Sequence, residues 1–348
     1  MPITLVTWTR EGPSGGNTYN RELVAALRAA GREVDVRTVP GAWPAPAAED
    51  RRRLARLLRE LPVVLVDGIV ACAAPEAVRG AVAAGRTVAV LVHMPLADEV
   101  GLAPVEQEGR ATAERAALHA ASRVIATSRT AAADLAARYG LDVRVAPPGA
   151  RPAPQAWGAR PPQPPRLLTV AALTPTKDQL TLVRALARVH DLGWTARLVG
   201  PTAADPGYAD AVRAEIAAAG LGDRLFVTGP LVGAALEAQW AAADLLVLPS
   251  RTETFGLVVL EALAHGIPAV VPAGTGAVEA LGTGAGTPAG TPPGRAVPPS
   301  DVDALAAVLR EWLGSPRLRA QWRRAATERR TRLPGWDDTA RRVLAALA

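Results

Sequence analysis

The sequence predicts an α/β protein with two Rossmann-like domains in one chain. Short apolar, β-rich runs alternate with amphipathic helical stretches through residues 1–150. A stretch dense in proline and glycine then interrupts the pattern, and the alternation restarts at Arg166. Such alternation implies parallel strands joined by helical crossovers. A chain of 348 residues is also too long for one ordinary core and fits two domains of typical size.

In the first domain (1–150) the strand candidates are "ITLVTW", "EVDVRTV", "PVVLVD", "TVAVLVH", "RVIATS" and "VRVAP". Between them lie helical stretches such as "NRELVAALRAAG", closed by Gly31 as a glycine C-cap. "PPGARPAPQAWGARPPQPP" (147–165) has no periodicity and reads as an interdomain linker, with 151–165 as its body. The second domain (166–335) offers "RLLTVAA", "TARLVG", "RLFVTG", "DLLVLPS" and "IPAVVP", each followed by a helical stretch. "GTGAGTPAGTPPG" (282–294) reads as a surface loop, and helices run from Asp301 to the end, broken near 315–316 and 333–335. Ligands of open α/β sheets bind beyond the carboxyl ends of the strands, so a cleft between the two domains is the expected site.

Composition narrows the function classes. The net charge of +6 invites a nucleic-acid reading. The arginines, however, are scattered, and their two dense stretches, 50–60 and 317–332, keep a helical spacing of apolar residues. With no aromatic stacking platform and no nucleic-acid-binding motif, nucleic acid is not an expected partner. The first of these stretches, with leucines 54, 57, 58 and 61 against five arginines, admits peripheral contact with an anionic membrane face. No secretory leader or membrane-spanning run is recognisable, and the one cysteine, Cys72, sits in an apolar stretch. A cytoplasmic protein, at most peripheral at the inner membrane face, is the expectation.

The chemistry concentrates in "DLLVLPSRTETFGLVVLEALAHGIPAVVP" (244–272). Its helical part, "FGLVVLEALAHG", carries one acidic residue, Glu261, among Leu, Val and Ala. A carboxylate on such a helix is expected to face a cavity or a hydroxyl-rich ligand. Glu253 precedes the helix, where the N–H groups of Thr254, Phe255 and Gly256 favour an anion. The two glutamates are eight positions apart, which is about 12 Å along the axis if the stretch is helical throughout. That spacing suits gripping an elongated ligand better than acid/base work across one bond, for which carboxylates sit roughly 5–9.5 Å apart. "LTPTKDQLT" holds Lys177, the chain's only lysine against 38 arginines. A compact ammonium on a flexible stem is the usual form of a phosphate-binding cation.

These residues carry a resemblance. Glu253 and Glu261 reproduce the E-x7-E pattern of retaining glycosyltransferases of the GT-B fold, and "SRTETFGLVVLEALAHGIPAVV" closely resembles family 4 of that class. "PSGGNTYNRELVAALRAAG" (13–31) is similar to the family's glycine loop and first helix, and "VLVHMP" (90–95) to its strand ending in a histidine. "VRVAPPGARP" is similar to the segment that closes the first domain, and "RAVPPSDVDALAAVL" to the one after the second. The resemblance implies two Rossmann-like domains facing across a cleft, with the acceptor on the first and the nucleotide-sugar donor on the second. It also implies a C-terminal crossover helix (336–348) packing back on the first domain.

Carried over by position, Glu253 binds hydroxyls of the transferred sugar and Glu261 the ribose of the nucleotide. Backbone amides of Thr254, Phe255 and Gly256, and of Gly15 and Gly16, hold diphosphate and sugar. His93 lies near the reacting face of the sugar, and "VTGPL", with Gly229 and Leu231, passes the base. Lys177 takes the family's lysine position beside the diphosphate, but the arginine expected five residues earlier is Ala172. Arg251 or Arg129 is then the candidate for the second charge. The donor expected is a UDP- or GDP-sugar, the acceptor a small molecule, lipid or glycan, with no metal and no cofactor.

Blander readings stand beside these. A lone histidine at a strand end is more often structural, and "GPSGG" alone is a turn. His119, His190 and His265 lack metal-ligand spacing, and Asp301 of "DVD" reads as a helix N-cap. A sugar-nucleotide epimerase or phosphorylase, or a weakly active nucleotide-sugar binding protein, are the alternatives.

Overall fold

The structure, a computed structural model, describes residues 2–8, 14–160, 162–282 and 292–348. It divides into two compact units. The first comprises Met1–Gly149 with Pro334–Ala348, and the second Ala150–Leu333.

Unit 1 runs β1 (Ile3–Trp8), α1 (Gly15–Ala29), β2 (Val34–Val39), α2 (Ala48–Glu60), β3 (Val63–Asp67), α3 (Gly68–Cys72), α4 (Pro75–Ala83), β4 (Thr87–Val92), α5 (Pro104–Ala120), β5 (Arg123–Ala126), α6 (Arg129–Tyr139) and β6 (Val143–Val145). The strands form one parallel sheet in the order β2-β1-β3-β4-β5-β6. Helices cover both faces, which is why the strands are Val-, Ile- and Leu-rich runs instead of alternating patterns. The chain leaves β1 toward β2, then returns to β3 on the other side. Ligands of such sheets bind at the carboxyl ends beside this reversal, where β3 ends in Asp67.

Unit 2 runs β7 (Arg166–Val170), α7 (Gln179–Ala187), β8 (Thr195–Val199), α8 (Pro206–Ala218), β9 (Leu225–Gly229), α9 (Gly233–Ala242), β10 (Leu245–Val247), α10 (Leu257–Ala264), β11 (Ala269–Pro272), α11 (Gly276–Leu281), β12 (Gly294–Val297), α12 (Val302–Gly314) and α13 (Pro316–Arg330). The sheet is again parallel, ordered β12-β11-β10-β7-β8-β9, so the reversal falls between β7 and β10. Side chains alternate across it as the pleat requires. Leu167, Leu245, Val247 and Val270 join Trp194 and Trp312 on one face, while Leu168, Leu246, Leu248 and Val271 join Trp240 and Phe255 on the other. Asp301 accepts a 2.8 Å hydrogen bond from the Ala304 N–H and caps α12.

Residues 151–165, expected as the interdomain linker, have no helix or strand among the described residues and are pinned to unit 2. Ala156 and Trp157 donate backbone hydrogen bonds to the His265 and Ala241 carbonyls, both at 2.9 Å, and Arg330 donates to the Ala153 carbonyl at 2.6 Å. The Gly/Pro-rich composition therefore marks an irregular strap. The final helix, α14 (Trp336–Leu347), falls in unit 1 against α1. Its Trp336 ring meets Tyr19 edge-on at 5.4 Å, and Thr339 donates to the Pro147 carbonyl at 2.7 Å. Gly149 is needed at this crossing, since a Cβ there would lie 2.3 Å from the Trp336 nitrogen.

In α2, Leu54 and Leu58 are core residues and Leu57 packs against them, which leaves arginines 51, 52, 53, 56 and 59 exposed. Three of these arginines share Glu49. The apolar stripe that would enter a lipid surface is thus used inside unit 1. No helix among the described residues is long and apolar enough to cross a membrane. Of the stretches singled out in the sequence, residues 283–291 of the 282–294 loop, and Gly12 and Pro13 of the glycine loop, lie outside the described residues.

Candidate active site

In unit 2 the loops after β7 and β10 leave adjacent strands at the reversal of strand order, and this adjacency brings Lys177 and Glu253 together across 76 residues of sequence. Lys177 Nζ donates to Glu253 Oε1 at 2.5 Å, and the buried Ser250 hydroxyl donates to the same oxygen at 2.7 Å. Oε2 accepts nothing from any described residue, on a side chain 9% exposed. Glu253 therefore keeps one oxygen locked and offers the other as an acceptor. Lys177 spends one of its three donors on Glu253 and keeps two.

The same loops place Arg251. Its backbone N–H donates to the Thr176 carbonyl at 2.9 Å and its Nε to Asp178 Oδ2 at 3.2 Å. Asp178 is buried, and Ser300 donates to its Oδ2 at 2.7 Å. Asp178 and Ser300 are the two non-glycine residues with positive φ among the described residues, at 48° and 58°. Such conformations cost free energy and persist where surrounding bonds hold them. Here the hydrogen bond between the two residues provides that hold. With Nε engaged, the terminal nitrogens of Arg251 remain without partners among the described residues, on a side chain 46% exposed. Ala172, half-buried, contributes only its carbonyl, which accepts from the Gln179 amide at 2.9 Å. Arg129 belongs to unit 1.

The Thr254, Phe255 and Gly256 amides donate to no carbonyl or side chain among the described residues. Gly256, at φ 82°, caps α10 and turns the chain into the helix. Phe255 lends only its backbone, because its side chain is buried in the core. The loop is held from behind by the Gly276 N–H, which donates to the Glu253 carbonyl at 2.8 Å. A Cβ on Gly276 would lie 1.8 Å from the Thr254 oxygen. Glu261 stands one turn into α10, half-buried. Gly229 ends β9 at φ 75°, its carbonyl accepting from the Gly200 N–H at 3.0 Å, and Leu231 follows half-buried.

In unit 1, Gly15 and Gly16 open α1, where Ser14 caps the Asn17 N–H at 3.1 Å. His93 follows β4, and Gly16 lies against its ring, a Cβ there falling 3.4 Å from His93 Cδ2. Tyr19 meets the same ring edge-on at 5.1 Å. His93 Nε2 lies 2.9 Å from Asn20 Oδ1 and 3.7 Å from Asp67 Oδ2. Burial pushes the His93 pKa down, against a smaller opposing pull from Asp67. No three His, Cys, Asp or Glu side chains among the described residues converge to hold a metal ion.

Beyond these bonds, the profile of the family described as glycosyl transferases group 1 matches residues 155–329, half of the chain. The chain belongs to that family. Among curated relatives, the D-inositol 3-phosphate glycosyltransferase of Kineococcus radiotolerans is 34% identical over 281 residues, covering 74% of this chain and 63% of the relative. The like-named protein of Xylanimonas cellulosilytica is 30% identical over 292 residues, covering 76% of this chain and 67% of the relative. The chain thus spans less than two thirds of the length of the first of these relatives. Among solved structures, a sucrose-phosphate synthase from Thermosynechococcus elongatus matches with a TM-score of 0.79 at 23% identity, covering 99% of this chain and 97% of that one. HepE of Anabaena, solved with UDP-glucose, matches with a TM-score of 0.74 at 18% identity, covering 99% of both chains. At these identities the likeness establishes the shared GT-B glycosyltransferase fold.

Sequence reasoning named Lys177, Glu253, Thr254, Phe255 and Gly256, and unit 2 assembles them. It missed Ser250, Asp178 and Ser300 there, and Asn20 and Asp67 in unit 1. Two signals were available. Asp67 is a carboxylate at the carboxyl end of an apolar strand, and Asn20 interrupts the apolar face formed by Tyr19, Leu23, Val24 and Leu27.

Proposed function

We propose that the protein is a retaining glycosyltransferase of family 4 type, moving a sugar from a nucleotide-diphosphate sugar to a hydroxyl acceptor without a metal. The observation that carries the reading is the split use of Glu253. Oε1 is fixed by Lys177 and Ser250, while Oε2 stands free to accept from a hydroxyl of the transferred sugar. The remaining donors of Lys177 and the terminal nitrogens of Arg251 face the phosphates, and Arg251 supplies the charge that Ala172 lacks. The Thr254–Gly256 amides add fixed dipoles, and Glu261 takes the ribose. Gly229 and Leu231 pass the base, and Gly15 and Gly16 offer further backbone amides to substrate.

A nucleoside diphosphate is already a competent leaving group, so the protein's task is to stabilise charge growing on the phosphate oxygens. The bond from the anomeric carbon to the β-phosphate oxygen breaks as the acceptor oxygen bonds to the same carbon on the same face. The acceptor proton passes to the departing phosphate oxygen. His93 accepts a hydrogen bond from a substrate hydroxyl. Its lowered pKa keeps the ring neutral at neutral pH, so a lone pair is available.

The family match and relatives named as glycosyltransferases favour transfer over the epimerase, phosphorylase and binding-only readings. A UDP- or GDP-sugar is the first donor to test, and D-inositol 3-phosphate, from the relatives' name, the first acceptor. Lipid and glycan acceptors follow. A cytoplasmic location is part of this reading, and any membrane contact would rest on the arginine face of α2. Product analysis by NMR tests the reading. A glycoside with the donor's anomeric configuration, formed with EDTA present and lost in Glu253→Gln, supports it. An inverted product, or an absolute metal requirement, overturns the mechanism.

A further inference from the structure

Asp67, Asn20 and His93 form a hydrogen-bonded chain at the carboxyl edge of the unit 1 sheet, and chemistry fixes its polarity. Asp67 Oδ1 accepts from the Ile69 N–H at 3.0 Å, and Oδ2 lies 3.1 Å from Asn20 Nδ2. A carboxylate only accepts, so the NH2 of the Asn20 amide must face it. The same nitrogen lies 3.4 Å from the Thr7 hydroxyl oxygen. The amide oxygen is thereby turned to His93 Nε2 at 2.9 Å. It carries no hydrogen, so Nε2 must supply one. On the other side of the ring, Nδ1 has no partner among the described residues, on a side chain 12% exposed.

We propose that Asn20 is a positioning residue: it relays the Asp67 carboxylate to His93, holds the imidazole as its Nε2–H tautomer, and leaves the Nδ1 lone pair as the acceptor shown to a substrate hydroxyl. The inference rests on the reading of His93 as a hydroxyl-contacting group. The edge of Tyr19 and the closeness of Gly16 hold the ring plane, while Asn20 decides which nitrogen faces outward. A merely structural asparagine would leave the outward nitrogen indifferent to the Asp67 charge.

The test is nitrogen-detected NMR of the full chain labelled at histidine, practical because there are only four histidines. At neutral pH the native protein should show a pyridine-type Nδ1 and a pyrrole-type Nε2 whose proton exchanges slowly. Asn20→Ala should speed that exchange at least tenfold. Asp67→Asn, close in shape, lets the Asn20 amide turn and should give averaged shifts from both tautomers. In turnover, Asn20→Ala should lower kcat and leave the donor KM unchanged. A native His93 protonated on Nδ1 overturns the proposal, and so do folded variants whose His93 signals or kcat match the native protein. If neither variant folds, the native tautomer and its slow exchange decide. The NMR signals need no donor, so loss of the glycosyltransferase reading would leave this test standing.

Discussion

Lys177 Nζ lies 2.5 Å from Glu253 Oε1, so the only lysine of the chain is bound to the glutamate that opens the E-x7-E segment. The pair is unevenly covered, with the lysine 30% exposed and the glutamate 9%. Partly exposed ion pairs contribute at most about 1 kcal/mol to stability, so in the proposed function the pair matters for what it presents to a ligand.

Lys177→Ala is therefore expected to lower kcat by about 100- to 1000-fold, the range for losing one preorganised donor to developing charge, with little change in Tm. Lys177→Arg should recover only part of the loss, since a planar fork does not replace a compact ammonium. Steady-state kinetics beside thermal melts check both. A large drop in Tm with kcat per folded molecule unchanged would contradict the assignment.

Arg251 is tied to the Lys177 loop through Thr176 and Asp178, with its terminal nitrogens free among the described residues. Arg251→Ala should weaken nucleotide-sugar binding about tenfold, the effect of one charge-assisted hydrogen bond at a half-exposed position. Calorimetric titration of native and variant protein with the donor measures this. Equal affinities would return the Ala172 position to being an unfilled gap.

Gly276 has no room for a side chain, with the Thr254 oxygen 1.8 Å from where a Cβ would stand. Gly276→Ala should displace the 253–256 loop, costing about 1–3 kcal/mol of stability as overpacking does and most of the turnover. Denaturant unfolding and kinetics test the two halves separately.

Burial lowers the pKa of His93 and of His265 below the ordinary 6.5. Between that value and the folded-state values the unfolded chain binds more protons, so stability must rise with pH across that window and fall as pH drops below 6.5. His93→Gln should flatten part of this slope. Unfolding midpoints measured in steps of pH through the window check the sign.

Much of the fold was legible because parallel, doubly covered strands write themselves as apolar runs between amphipathic helices. The positions of Lys177 and Glu253 at strand ends were also readable. Their meeting depends on β7 pairing with β10, a neighbourhood set by strand order, which local periodicity does not encode. The Asp178–Ser300 bond joins residues 122 apart, and Asn20–Asp67 residues 47 apart, so neither shows in any local window. Residues 151–165 read in the sequence as an irregular interdomain stretch. Their composition reports the absence of regular structure, while their anchors, His265, Ala241 and Arg330, lie far along the chain.

The most direct test of the central claim is a binding titration of the full chain with UDP-, GDP-, ADP- and TDP-sugars, repeated on Lys177→Ala and Glu253→Gln. The account predicts saturable binding of one nucleotide sugar, weakened in Lys177→Ala chiefly through the phosphates and in Glu253→Gln chiefly through the sugar, so that the bare nucleoside diphosphate binds Glu253→Gln as it binds the native protein. Absence of binding by all four, or affinities indifferent to both substitutions, would contradict it.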